Sequence, residues 1–92
     1  MLQARIDFFA RLTKEEKETL KPSDFTVSEF KEIVSETALT EMDRLIILYR
    51  HIDCMTHEQI AEKVGIDIRT CTKRIPKIEA KIKNTYLKLF YR

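Results

Sequence analysis

His57-Glu58-Gln59-Ile60-Ala61-Glu62-Lys63-Val64-Gly65-Ile66-Asp67-Ile68-Arg69-Thr70-Cys71-Thr72-Lys73-Arg74-Ile75 is the stretch that decides the fold of this 92-residue chain. Ile60, Val64, Ile68, Cys71 and Ile75 recur at three- and four-residue spacing, which places them on the inward faces of two short helices. Gly65, the only glycine in the sequence, stands between the two, where a sharp turn needs a residue that tolerates φ > 0. Ala61, one helical turn earlier, is small where two helices cross closely. The pattern predicts a helix-turn-helix over residues 56–75, with Ala61, Gly65, Cys71 and Ile75 as its structural positions. Arg69, Thr72 and Lys73 are left on the outward face of the second helix, the face that a DNA major groove would meet.

Outward from this core, helix starts are signalled with unusual regularity. Thr13 with Glu16, Thr26 with Glu29, Thr40 with Asp43 and Thr56 with Gln59 each set a threonine three residues before a side chain able to reach back, the signature of a capping box. Asp67 is a further N-cap candidate. These signals predict helices over residues 2–11, 14–20, 27–36, 41–53, 57–64 and 68–74, and a C-terminal helix ending near Phe90. Lys21-Pro22-Ser23-Asp24 is the one clear breaker, too short for a flexible interdomain linker. Phe25, Phe30, Ile33 and Val34 give the third helix an apolar face, and Met42, Leu45, Leu48, Tyr49 and Ile52 give one to the fourth; both are expected to pack beneath the helix-turn-helix. Phe8, Phe9 and Leu12 either close the same core or dock on a partner.

Pro76 interrupts this order. Inside a helix it removes a backbone donor and clashes with the preceding turn, so a break or sharp kink near Ile75 is expected, with Pro76 opening the next helix and Lys77 turned away from the groove. Beyond it Ile78, Ile82, Tyr86 and Leu89, with Phe90 beside them, form a helical stripe that suits either a core or the interface of a homodimer matched to a palindromic site.

One glycine, two prolines and 35% charged residues favour an all-α fold, a bundle of short helices, over one with a sheet. We read residues 1–92 as a single domain, with residues 1–38 as an N-terminal helical extension, residues 39–83 as the helix-turn-helix core and residues 76–92 as the C-terminal helix. A chain this short has little room for a large enclosed active site. The net charge of +2 hides an asymmetry, since residues 1–46 carry seven basic against ten acidic side chains and residues 47–92 carry ten against five. The basic half suits a polyanion; the acidic half argues against diffuse stickiness. Cys54 and Cys71 are too few for a disulfide framework, and the longest apolar run, Leu45 to Tyr49, is too short for a signal core or a membrane span. A cytoplasmic location with reduced thiols is expected.

The candidate contacts follow from side-chain chemistry. Arg69 has the fork geometry to read a guanine edge, Thr72 suits a base or a thymine methyl, and Lys73 neutralises a phosphate. Arg74 and Lys77 extend the positive charge, adding affinity without sequence information. Thr56 and His57, at the start of the first motif helix, are placed for a backbone phosphate because helix N-termini attract anions. His51, Cys54 and His57 are spaced three apart, with Cys71 further on, but Cys54 falls in an interhelical connection and Cys71 in a core slot, so no metal is expected. No activated nucleophile, carboxylate pair or glycine-rich phosphate loop can be assembled, so neither an enzyme nor a cofactor is expected.

Taken together, Thr40-Glu41-Met42-Asp43-Arg44, the Ile46-Ile47-Leu48-Tyr49 run, Thr56 through Ile66 and Arg69 through Ile75 resemble the promoter-reading C-terminal region of bacterial sigma factors, over about half the chain. Gln59 and Cys71 stand where that family has glutamate and valine, and Pro76 departs further. The resemblance implies sequence-specific binding of double-stranded DNA and transcription regulation, with the acidic N-terminal helices free for a protein such as RNA polymerase. Residues 1–38 do not suit a promoter-melting region, which implies a small stand-alone protein similar to those of phages and mobile elements. Two other uses of the same motif stay open: a DNA-packaging or recombination accessory that forms an oligomer, and a protein-interaction module that keeps the fold without binding DNA.

Overall fold

The threonine signals locate helix starts correctly. In this computed structural model, which describes Ile6 and residues 8–90, α1 (Lys14–Glu18) follows Thr13, whose Oγ1 accepts the Glu16 N–H at 3.1 Å while Glu16 Oε1 accepts the Thr13 N–H at 2.9 Å. Thr26 and Glu29 exchange the same pair of bonds at the start of α2 (Val27–Glu36). Thr40 opens α3 (Glu41–His51) with half a box, accepting the Asp43 N–H at 3.1 Å, because the Asp43 carboxylate lies beside Arg74 instead of returning to the cap. The full box recurs with Thr56 and Gln59 at α4 (His57–Val64). Asp67 Oδ1 accepts the Arg69 N–H at 2.8 Å and so caps α5 (Ile68–Phe90). The described residues contain no strand.

The expected first helix over residues 2–11 lies in large part outside the described residues, of which Ile6 and residues 8–10 are helical. The breaker stretch forms a short 3₁₀ turn, Pro22–Asp24, in which Asp24 Oδ2 accepts the Lys21 N–H at 2.7 Å.

The chain divides into two compact units. The first comprises residues 1–37 and 82–92, and its buried apolar residues are Phe9, Phe25, Phe30, Ile33, Val34, Ile82, Tyr86 and Leu89. Ring centroids of Phe9 and Phe25 are 5.3 Å apart, and those of Phe25 and Tyr86 5.2 Å, within the range where aromatic pairs add to plain area burial. The Tyr86 hydroxyl donates to the Leu20 carbonyl at 2.8 Å, which resolves the polar tip of a buried ring. Thr37 ends α2 with its Oγ1 2.7 Å from Ile33 O and 2.8 Å from Thr85 Oγ1. A hydroxyl has one proton and the carbonyl can only accept, so Thr37 donates to Ile33 and accepts from Thr85. Phe8 and Phe9 divide: Phe9 is buried and Phe8 is 58% exposed. α2 lies in this unit, and Phe30, Ile33 and Val34 of its apolar face are among the residues buried there.

The second unit, residues 38–81, holds the helix-turn-helix, and Ile46, Ile47, Ile60, Ala61, Cys71, Ile75 and Ile78 are its buried apolar residues. Here the expected face of α3 is corrected. Ile46 and Ile47 are fully buried, whereas Leu45 is 42% exposed and Met42, Leu48, Tyr49 and Ile52 are only half-buried. Five consecutive apolar positions, 45–49, allow more than one inward stripe at a 3.6-residue period, so spacing alone does not choose. The helix also stops at His51, short of the expected Asp53, and the chain reverses through Cys54 at φ +54° while Arg50 Nη1 donates to the Met55 carbonyl at 2.8 Å.

Pro76 gives the second correction, to the expected break at Ile75. α5 runs without interruption for 23 residues and contains the proline. Cys71 and Ile75 before it, and Ile78, Ile82, Tyr86 and Leu89 after it, are all buried and follow one another at three- and four-residue steps. A break at Ile75 would throw the later side chains out of register. Burying each contributes roughly 1.5–3 kcal/mol, together more than the ~3 kcal/mol an interior proline costs, so packing overrides propensity. The stripe is therefore core of the chain itself, which leaves Ile78, Ile82, Tyr86 and Leu89 unavailable to the homodimer considered for them. The Phe90 side chain, expected beside them, lies outside the described residues.

Candidate nucleic-acid interface

The turn between α4 and α5 is made by backbone geometry. Gly65 adopts φ 76° and ψ 37°, and both its N–H and that of Ile66 donate to the Ala61 carbonyl, at 2.9 and 3.0 Å. A Cβ built at Gly65 would meet nothing within 4 Å, so the left-handed torsion, and not a lack of space, favours glycine there.

From Asp67 onward, the sides of α5 separate by chemistry. Cys71, Ile75 and Ile78 point inward and are buried, while Arg69, Thr72, Lys73, Pro76 and Lys77 are exposed. Because the helix does not break, Arg69, Lys73 and Lys77 stand at four-residue steps in one row, and Lys77 stays in line with the other two. This is a basic strip on an exposed helix face, with no acidic residue in it.

The remaining predicted contacts are placed differently. Arg74 sits at the flank of the strip, its Nη1 3.0 Å from Met42 Sδ and its Nε 3.3 Å from Asp43 Oδ1. Asp43 Oδ1 is sealed from solvent and has no aligned hydrogen-bond donor, so the attraction between these two residues is charge alone. Arg74 thus braces α5 against the start of α3 and brings less free charge to the surface than its position in the sequence suggests. Thr56 uses its hydroxyl as acceptor in the α4 cap. His57 Nδ1 lies 3.1 Å from Thr72 Oγ1, which joins the start of α4 to the outward face of α5.

Sequence reasoning missed both of these cross-helix pairs, together with His51 Nε2, 2.9 Å from Glu79 Oε2. The one signal for the Arg74 brace was an aspartate where the other boxes have glutamate or glutamine. The three residues weighed for metal have separate environments: His51 faces Glu79, His57 faces Thr72, and Cys54 is exposed. Burial pushes the Cys71 thiol up from its ordinary range, an effect the nearby Arg74 charge partly offsets, so Cys71 serves as a neutral packing group in the slot beneath the strip. Among the described residues no helix is long and apolar enough to cross a membrane.

A family model described as Sigma-70, region 4 matches residues 37–82, a span that takes in α3, α4 and the outward basic strip of α5. No curated protein and no solved structure matches the chain.

Proposed function

Because the chain belongs to the Sigma-70 region 4 family, a family of DNA-binding helix-turn-helix domains, we propose that it binds double-stranded DNA sequence-specifically and acts in transcription regulation. The observation that carries this reading is the division of α5, whose buried Cys71, Ile75 and Ile78 hold the helix while Arg69, Thr72, Lys73 and Lys77 stand clear on the other side. A helix anchored in this way can enter a major groove with its reading side chains already ordered. Arg69 is the base reader, by two parallel donors to a guanine edge, and Thr72 is the second. Lys73 and Lys77 neutralise phosphates and supply affinity that falls with salt. Such a protein is a binder and not a catalyst, and it works in the cytoplasm with Cys54 and Cys71 as free thiols. An RNA polymerase contact rests on family membership alone.

The test is binding to a pool of random duplexes across a salt series, with sequencing of the DNA retained at the highest salt. The expected result is a steep salt slope and an enriched motif. Arg69→Ala is expected to weaken the preferred site by about 1–3 kcal/mol and random DNA far less, while Lys73→Ala weakens both alike and lowers the salt slope by about one. Absence of binding at low salt would remove the DNA reading altogether.

A further inference from the structure

Thr72 is exposed on the basic strip, yet its hydroxyl is not free to turn, because His57 Nδ1 lies 3.1 Å from its Oγ1. Fifteen residues separate the two in sequence, and they come from different helices of the motif. His57 itself is fixed at the first position of α4, directly after the Thr56 cap, so its ring has a defined origin. Both members of the pair lie in the second unit.

On this basis, and resting on the DNA reading above, we propose that His57 is a positioning residue that sets which base Thr72 reads, and not a phosphate contact. A threonine hydroxyl has one donor and two acceptor sites, and left to rotate it suits any base. When the neutral ring carries its proton on Nε2, Nδ1 is an acceptor and takes the Thr72 proton. The hydroxyl then offers the groove lone pairs only, beside its methyl group. In the major groove the complementary donors are the adenine N6 and cytosine N4 amino groups, whereas guanine presents only acceptors there and thymine an acceptor and a methyl group. In that tautomer the pair selects an amino-bearing base opposite Thr72, and rejects guanine by setting lone pair against lone pair.

The experiment compares base preferences, position by position, of the full chain and of His57→Ala, His57→Asn, Thr72→Val and the His57→Ala/Thr72→Val double variant, all on the same randomised duplex pool. In the unaltered protein one position prefers adenine or cytosine over guanine. His57→Ala reduces that preference about tenfold and leaves the rest of the motif unchanged, because Thr72 is released to rotate. Thr72→Val gives the same local loss, and the double variant is no worse than either single change, as two members of one unit require. His57→Asn keeps an acceptor near the Nδ1 position and restores the preference.

A uniform loss over all sequences in His57→Ala, with a shallower salt slope and unchanged preferences, would make His57 a phosphate contact and overturn the proposal while leaving the DNA reading intact. Failure of the unaltered protein to bind any duplex would end both. Far-ultraviolet circular dichroism of each variant confirms that it is folded, and recovery in His57→Asn separates positioning from a lost fold.

Discussion

Replacing Pro76 with alanine should stabilise the protein substantially. The proline is the ninth residue of a 23-residue helix, so its missing N–H leaves the Thr72 carbonyl without the usual helical donor, and its ring crowds that same carbonyl. It is exposed, so alanine forfeits no buried contact. In helix interiors proline is about 3 kcal/mol worse than alanine, of which one restored hydrogen bond accounts for about 1 kcal/mol and relief of crowding for the rest. We expect a gain of about 2–3 kcal/mol. For a domain of this size that raises the thermal midpoint by about 10–20 °C, and the urea midpoint by about 1–2 M. Urea unfolding followed by circular dichroism at helical wavelengths measures it directly. Pro76→Gly adds a graded control: glycine also restores the donor but is about 1 kcal/mol worse than alanine, so the order of stability should be alanine, glycine, proline. An unchanged or lowered midpoint in Pro76→Ala would refute the reasoning, since it would mean that the helix accommodates the ring without strain.

Two further outcomes follow from the geometry. Gly65→Ala should destabilise by about 1 kcal/mol, because an L side chain in the left-handed region costs about 1–2 kcal/mol and the stiffer unfolded chain returns part of it; Gly65→Asn should lose less, and equal losses would mean that torsion is not the cause. Stability should also fall in alkali. Burial raises both the Cys71 thiol and the Tyr86 phenol above their ordinary values of 9.0 and 10.0, the latter helped by Asp24, so the unfolded chain releases these protons before the folded one does. The contribution is whole below pH 9.0 and is lost as pH climbs through the raised values, and Cys71→Ala should remove its first phase; a urea midpoint that stays level beyond pH 10.0 would contradict this.

What was legible in the sequence was local. A threonine whose hydroxyl accepts the N–H three residues later fixes a helix start through bonds between near neighbours, so the starts at Lys14, Val27, Glu41 and His57 could be read directly. Gly65 could be read for the same reason, since a left-handed residue after an apolar helix is a local demand. Ile68, expected on the inward face, is 45% exposed at the start of α5; the other failures came from distance. Whether α3 buries Ile46 and Ile47 or their neighbours depends on what lies against it, and Pro76 is tolerated because Ile78, Ile82, Tyr86 and Leu89 each have a buried place to fill. At the candidate interface, the outward placement of Arg69, Thr72 and Lys73 followed from helical period alone. The engagement of Arg74 with Asp43 and of His57 with Thr72 joins residues far apart in sequence, which no spacing rule reaches.

The separation of duties along α5 has a consequence for how this protein can change over generations. The residues that hold the helix, Cys71, Ile75 and Ile78, are different from those that face outward, Arg69, Thr72, Lys73 and Lys77, and none of the latter is buried. If these outward positions read DNA as proposed, mutations there redirect the protein to new targets with little penalty in folding, so a population can explore many addresses from one scaffold. Arg74 marks the border of that freedom: it is half-buried and tied to Asp43, so a change there would trade away part of the scaffold itself.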